Sequence, residues 1–349
     1  MHILKGYTKQ EISWMMYDWA NSAHSVIIVT LLPIFFDTVA GYTADSVSSM
    51  STWGYATSIA MLIVALAAPF LGVFGDIRGM RKKLFRFFML LGVAACAGMA
   101  FTPGMDFTSG PVAAGKVASL ILVLYIVSVI GFDASAIYYD AFLTDVTTEN
   151  RMDKVSTMGY GLGYIGGSTI PLLIFLIMNL VGVPMLTCLA FVFGLTAVWW
   201  LAFSLPLLKN CEQTSGKPYE KGDVARSIKG VGTTIKEIIA NKPMLIYILS
   251  YFFYIDGVHT VISMATTYGT NLGLDSTGMM LALLLVQILG LPFCLLYIKC
   301  SEKFGARTMV GFGICVYMFI CIFAFFMNSL WQFWVLAVLC ATGQGGLAN

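Results

Sequence analysis

Long apolar runs, bounded by charged or turn-forming residues and almost free of Lys and Arg, recur from one end of the chain to the other. They extend from about Ile12 to Phe36, Ser51 to Phe74, Leu84 to Phe101, Val117 to Phe142, Val155 to Val181, Pro184 to Leu208, Pro243 to Leu272, Thr277 to Ile298 and Thr308 to Phe326. A tenth begins near Leu330 and continues to Asn349. A helix rises about 1.5 Å per residue, so about 20 apolar residues cross a hydrocarbon core about 30 Å thick. A segment in lipid must satisfy its own backbone hydrogen bonds, which selects helices. The pattern predicts an all-α, multi-pass integral membrane protein. The supply of charge agrees: 58% of residues are hydrophobic and 11% charged, where a soluble domain carries about 25% charged. That shortage excludes a soluble enzyme, a disordered chain and a nucleic-acid binder, which needs a basic surface. The first run is too long for a cleaved signal peptide, carries polar residues, and is followed by no small-residue cleavage site.

The basic residues give the expected orientation. Lys and Arg fall in alternate loops: Lys5 and Lys9; Arg78, Arg81, Lys82, Lys83 and Arg86; Arg151 and Lys154; the polar segment from Lys209 to Lys242; and Lys299, Lys303 and Arg307. Lys116 alone lies on the other side. The positive-inside rule places the N-terminus and the polar segment in the cytoplasm, in a plasma (inner) membrane. The chain divides into a six-helix bundle over 1–208, a cytoplasmic linker over 209–242 and an incomplete second bundle over 243–349. Val224, Ile228, Val231, Ile235 and Ile238 recur at helical spacing in the linker, with Arg226, Lys229 and Lys236 elsewhere on the wheel. That spacing predicts an amphipathic helix on the inner membrane face, which Gly230 and Gly232 weaken; a solvated linker is the alternative. None of the eight cysteines lies in a predicted outer loop, and none has metal-site spacing.

The second half echoes the first. After the second run the chain reads Gly72-Val-Phe-Gly-Asp76-Ile-Arg-Gly79-Met-Arg81-Lys82, and after the eighth Ser-Glu302-Lys-Phe-Gly305-Ala-Arg307. Each loop has an acid, Gly three residues on and Arg two further. Tyr17-Asp18 with Asn21-Ser22 in the first run is matched by Tyr254 and Asp256 with His259-Thr260 in the seventh. Two parallel repeats joined by a linker generally enclose a site between them near the midplane. Gly79 permits a tight turn, and Asp76 and Arg81 are placed to pair as a gate that biases one state of a rocking motion. Plain topology-setting charge is the alternative role for these loops.

Gly72 to Lys83 resembles the signature loop of the major facilitator superfamily, departing at Ile77 where that family has Arg or Lys. Within the superfamily, several segments resemble the vacuole-effluxer, autophagy-related branch: Tyr17-Asp18-Trp19-Ala20-Asn21-Ser22-Ala23, Gly131-Phe132-Asp133, Tyr139-Asp140-Ala141-Phe142-Leu143, Glu149-Asn150-Arg151, Gly159 to Gly167, and Gln344-Gly345-Gly346. The resemblance implies a twelve-helix transporter of which about ten helices are present here, with helices one, four, seven and ten lining the cavity. It implies secondary transport, with fungal members moving amino acids out of the vacuole.

Carboxylates inside spans are costly and point to function. They are Asp18 in the first run, Asp133 and Asp140 in the fourth, and Asp256 in the seventh. These are helices that the resemblance assigns to the cavity. Asp18, Asn21 and Ser22 share one helix face, as do Asp256 and His259. His24, Tyr139 and Gln344 complete the candidate cavity for substrate and protons. Simpler roles stay open: Asp18 as a packing acid, Asp140 as a partner of Arg151 or Lys154, and His24 and His259 as neutral hydrogen-bond donors. A carboxyl cut off from water favours its protonated form, so Asp133 or Asp256 with His259 is expected to couple protons to transport. Gly159, Gly163 and Gly167, four apart, form a stripe for close helix packing that resembles the superfamily's antiporter motif, with Tyr164 where that motif has Pro.

Two motifs mislead. Gly161-Leu-Gly163-Tyr-Ile-Gly166 matches a dinucleotide fingerprint but lies inside a span, and Gly110 to Lys116 nearly matches a phosphate loop but is followed by Val117 instead of Ser or Thr. No nucleotide, cofactor, metal or catalytic set is expected. The expected partners are the lipid bilayer, a small solute and protons or another coupling ion. The leading function is efflux of an amino acid or similar zwitterion by alternating access. The alternatives are a sugar or neutral-solute carrier, and a non-transporting sensor or lipid-handling protein of the same fold.

Overall fold

A computed structural model describes residues 6–43, 46–218 and 223–347. The elements are α1 (Lys9–Ala40), α2 (Ser46–Gly75), α3 (Arg81–Met99), α4 (Pro111–Val146), α5 (Glu149–Leu162), a π-helical turn (Gly163–Ser168), α6 (Thr169–Leu180), α7 (Met185–Asn210), α8 (Asp223–Ala240), α9 (Lys242–Asn271), α10 (Ser276–Phe304), α11 (Ala306–Phe325) and α12 (Leu330–Leu347). Among the described residues the pairing outside helices is one parallel bridge, Ile77 with Lys217. Each apolar run is a helix, as lipid demands. Over their described residues eight are long and apolar enough to cross a membrane, and α10 and α12 hold apolar stretches at Ser276–Gly290 and Leu330–Gly343.

Two hydrophobic cores organise the helices. The larger is built mainly by α1 to α7 around α1, whose Trp14, Tyr17, Ile27, Leu31 and Phe35 are fully buried, and it also takes in Met280 and Leu284 of α10. The second is built by α9 to α12, with Val258, Met279, Tyr317, Phe333 and Ala341 at its centre. A helix buried on most sides reads as largely apolar, and α1 does so, with Asp18, Asn21 and Ser22 on one polar face and His24 and Thr30 among its buried polar residues. Its start is fixed by a capping box: the Thr8 hydroxyl accepts from the Glu11 amide at 3.1 Å, and the Glu11 carboxylate accepts from the Thr8 amide at 2.7 Å.

The fifth run is not the continuous α-helix its apolarity suggests. Its middle widens into the π-helical turn at Gly163–Ser168, where the Thr169 hydroxyl donates to the Tyr164 carbonyl at 2.7 Å. Glycines tolerate the wider winding because they bring no side chain, and single π turns are frequent at functional sites. In the linker, Gly230 and Gly232 do not interrupt α8. Most of its side chains, including those of Val224, Arg226, Ile228, Lys229 and Val231, lie outside the described residues.

Candidate functional site

The polar face of α1 is held between α4 and the glycine-rich helix. The Tyr139 hydroxyl donates to the Asp18 carboxylate at 2.7 Å. Tyr139 is fixed from behind by Trp14, whose ring stacks on it at 4.3 Å and whose indole N–H donates to the Tyr139 carbonyl at 2.9 Å. One turn deeper the Tyr17 hydroxyl shares a hydrogen bond with Ser135 at 2.8 Å and accepts from the Trp200 indole at 3.3 Å. The adjacent Tyr138 turns the other way, donating to the Leu71 carbonyl of α2 at 3.0 Å. Of the two neighbouring tyrosines, Tyr139 therefore reaches the α1 face.

The glycine stripe closes the third side. A methyl group on Gly159 would strike the Asp18 carboxylate, one on Gly163 the Ser22 hydroxyl, and one on Gly167 the Trp19 carbonyl. The stripe lets this backbone lie directly on the carboxylate and hydroxyl of α1. The result is a half-buried acid with one strong donor, Tyr139, and a wall of backbone.

The other candidate residues are distributed as follows. Asn21 is buried beside this cluster, and Asp133 is half-buried two turns along α4 from Asp140, which is exposed. Asp256 and His259 are exposed on one face of α9, a helix that packs against α1 and α2. Gln344 belongs to α12, but its side chain, like those of Glu302 and Arg307, lies outside the described residues. Gly305 sits at φ 83 before α11, a conformation that suits glycine. The alternative of Asp140 pairing with Arg151 or Lys154 is not seen: Arg151 is held by Glu11, and Lys154 lies over the Tyr7 ring at 5.4 Å.

His24 is 2% exposed, stacked on Phe132 at 4.8 Å and against Trp200 at 5.0 Å. Neither ring nitrogen has a hydrogen-bond partner among the described residues. It is therefore no interhelical donor here. A buried unsatisfied polar group costs about 1–3 kcal/mol. His24→Phe keeps the ring stack and removes that cost, so it is expected to raise the thermal unfolding midpoint in detergent. A lowered midpoint would show that the imidazole has a bonding role.

At the Arg81 end of the helices the expected pair of Asp76 and Arg81 is present but long, and a second acid is the closer partner. Asp76 stands 3.9 Å from Arg81 with its side chain 81% exposed. The close partner of Arg81 is Asp145, whose side chain is fully buried. A position near the end of α4 brings Asp145 to the start of α3, which a loop-based reading of Asp76 and Arg81 does not anticipate. Lys82 is half-buried, Gly72 has open space about it, and Gly79 takes φ 80 in the turn. A second cluster joins α1, α4 and α5: the Glu11 carboxylate accepts from Arg151 Nε at 2.8 Å and Nη2 at 2.9 Å, and from the Thr147 hydroxyl at 2.7 Å. The Thr8-x-x-Glu11 spacing carries a sequence signal for that residue; Asp145 carries none of comparable strength.

A concavity of about 470 Å³ lies at the opposite end of α4, lined by Asp106, Ser109, Lys116 and neighbours. Hydrogen bonds from Ser109 and Thr108 hold the exposed Asp106 carboxyl below the usual range. It is remote from the α1 cluster.

Residues 7–349 match the family described as "Vacuole effluxer Atg22 like". The MFS-type transporter YxiO of Bacillus subtilis (strain 168) is 40% identical over 353 residues, covering 99% of this chain and 80% of that protein. Autophagy-related protein 22-1 of Penicillium rubens is 24% identical over 177 residues, covering 48% of this chain and 30% of that one. Among solved structures, the inward open xylose transporter XylE from E. coli superposes with a TM-score of 0.62 at 15% identity, covering 95% of this chain and 79% of that chain. A bacterial homolog of the human lysosomal transporter Spinster, inward-facing and unoccupied, gives 0.62 at 14%, covering 97% and 73%. At such identities these two establish the fold alone. The chain is thus a multi-pass membrane protein with the major facilitator fold, and it belongs to the Atg22-like vacuole effluxer family.

Proposed function

We propose that the protein is a secondary active transporter moving a small polar solute, an amino acid or similar zwitterion, by alternating access around a site between its two helical groups. The observation that carries this reading is the Asp18–Tyr139 pair on the face shared with Asn21 and Ser22, backed by the glycine stripe. A carboxylate held by one tyrosine suits the ammonium group of a zwitterion, and Tyr139, Ser22 and Asn21 supply neutral hydrogen bonds for the rest. Efflux is favoured by the family's description. Asp133 or Asp256, with His259, couples protons in this account, and the positive-inside charge pattern places the N-terminus and linker in the cytoplasm.

The second reading is a sugar or other neutral solute. It is supported by the near-parallel rings of Trp19 and Trp199, 6.3 Å apart, beside the same face, since aromatic faces pack well on sugar rings. A thermal-shift screen of the intact protein separates the two. A ligand at a hundred times its Kd stabilises the folded state by about 2.7 kcal/mol. Raised midpoints with amino acids support the first reading. A screen silent across amino acids but positive for sugars replaces it with the second.

A further inference from the structure

The linker is fastened at both ends to membrane-crossing helices. At its start, Gln213 Oε1 accepts from the Gly79 amide at 2.8 Å, and Asp145 near the end of α4 accepts from the Thr214 and Ser215 hydroxyls at 2.9 and 2.8 Å. At its end a single residue, Asn241, separates α8 from α9. The Asn241 amide donates to the Glu237 carbonyl of α8 at 3.0 Å, while its side chain caps α9 by accepting from the Met244 amide at 3.3 Å. Because α9 is long and apolar enough to cross a membrane from Lys242 onward, the last turn of α8 is held at the membrane's edge.

In water α8 would be a poor helix. Gly230 and Gly232 disfavour helical winding, and most helical stability in proteins comes from packing of an amphipathic face. The rest of the protein supplies little of that packing. The helix touches α2 and α9, yet nothing lies within 4 Å of a Cβ at Gly230 or Gly232, and Ile235 and Ile239 are 49% and 59% exposed.

The order of residues around the helix points to what covers that face. At about 100° per residue, Val224, Ile228, Val231, Ile235 and Ile239 fall within one arc. Ile238, at one edge of the arc, is half-buried against the protein. Lys229 and Lys236 fall together beyond the other edge, and the side chains of Lys236 and of Lys242 at the junction are exposed. Thr233 and Glu237 lie opposite. The exposed apolar surface resumes at once in Met244, Ile246 and Tyr247 of α9. A helix lying in an anionic bilayer surface uses this arrangement: apolar side chains enter the acyl boundary and flanking lysines meet the headgroups.

We propose that α8 binds the adjoining membrane surface, with Ile235 and Ile239 in the acyl boundary and Lys229 and Lys236 among anionic phospholipid headgroups. The inference holds whichever solute is moved. Each Lys near an anionic surface contributes about fivefold to binding, so the pair contributes about twentyfold.

The test uses the intact protein with its native cysteines replaced, in nanodiscs of phosphatidylcholine alone or of phosphatidylcholine and phosphatidylglycerol in equal parts. A spin label is placed at Ile235→Cys, at Ile239→Cys or, on the opposite face, at Thr233→Cys. Its collisions with oxygen, which concentrates in lipid, and with a nickel chelate, which stays in water, are measured. With phosphatidylglycerol present, the Ile235→Cys and Ile239→Cys labels are expected to meet oxygen and not the chelate, and the Thr233→Cys label the reverse. Adding Lys229→Gln and Lys236→Gln to Ile235→Cys is expected to lower the ratio of lipid-exposed to water-exposed label about twentyfold. Removing phosphatidylglycerol is expected to lower it at least as far. The lipid exchange needs no charge variant, so it decides the matter even where the double Gln variant does not fold. Chelate access to the Ile235→Cys label in both lipids overturns the proposal and leaves a solvated linker. Shielding from both reagents overturns it in favour of a protein partner. Equal lipid exposure in the two nanodiscs overturns it too, since the lysines would then contribute nothing.

Discussion

Asp145→Ala is expected to destabilise the protein by about 3–5 kcal/mol, because it leaves the guanidinium of Arg81 buried without its countercharge. The same change strips the acceptor from Thr214 and Ser215. Asp76→Ala is the informative partner experiment. Its carboxylate is 81% exposed and 3.9 Å from Arg81, and exposed pairs contribute about 0–1 kcal/mol. Unfolding in detergent, followed by helical signal, ranks the two. A larger loss for Asp76→Ala would make Asp76 the stronger partner of Arg81 and would remove Asp145 from its central place.

That contrast also shows what a single sequence can disclose. The spans were legible because apolar length is a one-dimensional property: the runs from Ile12 onward are helical with ends shifted by a few residues, the fifth divided by its π turn. The polar face of α1 was legible for a similar reason, since Asp18, Asn21 and Ser22 lie three and four apart on one helix. What faces them was not. Tyr139 is far away along the chain, and only folding decides that it, not Tyr138, turns toward α1. The glycine stripe announced a close approach without naming its neighbour, and the π turn at its centre left no mark in hydropathy. Asp145 and Gln213 were invisible because their importance comes from the docking of the linker on the α2–α3 turn, a contact between distant segments.

Gly131→Val is expected to cost about 3 kcal/mol, near the upper end of overpacking effects. A Cβ at Gly131 would lie 2.5 Å from the Gly92 amide nitrogen, 2.6 Å from its Cα and 2.8 Å from the Phe88 carbonyl. Those are backbone atoms of α3, so no side chain can rotate away and the two helices must separate. Gly92 cannot yield in turn, because the Trp200 ring occupies the space where its own side chain would be. Gly72→Ala is the control. Nothing lies within 4 Å of a Cβ there, and alanine is the better helix former by about 1 kcal/mol, so that variant is expected to match or slightly exceed the parent. Equal losses at both positions would mean that α3 and α4 are not packed backbone to backbone.

Solute movement itself is the most direct test. The intact protein, reconstituted into proteoliposomes with an imposed pH gradient, is offered a mixture of radiolabelled amino acids and, separately, xylose. The account predicts gradient-driven amino-acid accumulation that falls by at least about tenfold in Asp18→Asn and loses its dependence on pH in Asp133→Asn or Asp256→Asn. Accumulation that is unchanged in all three variants, or confined to xylose, would contradict it.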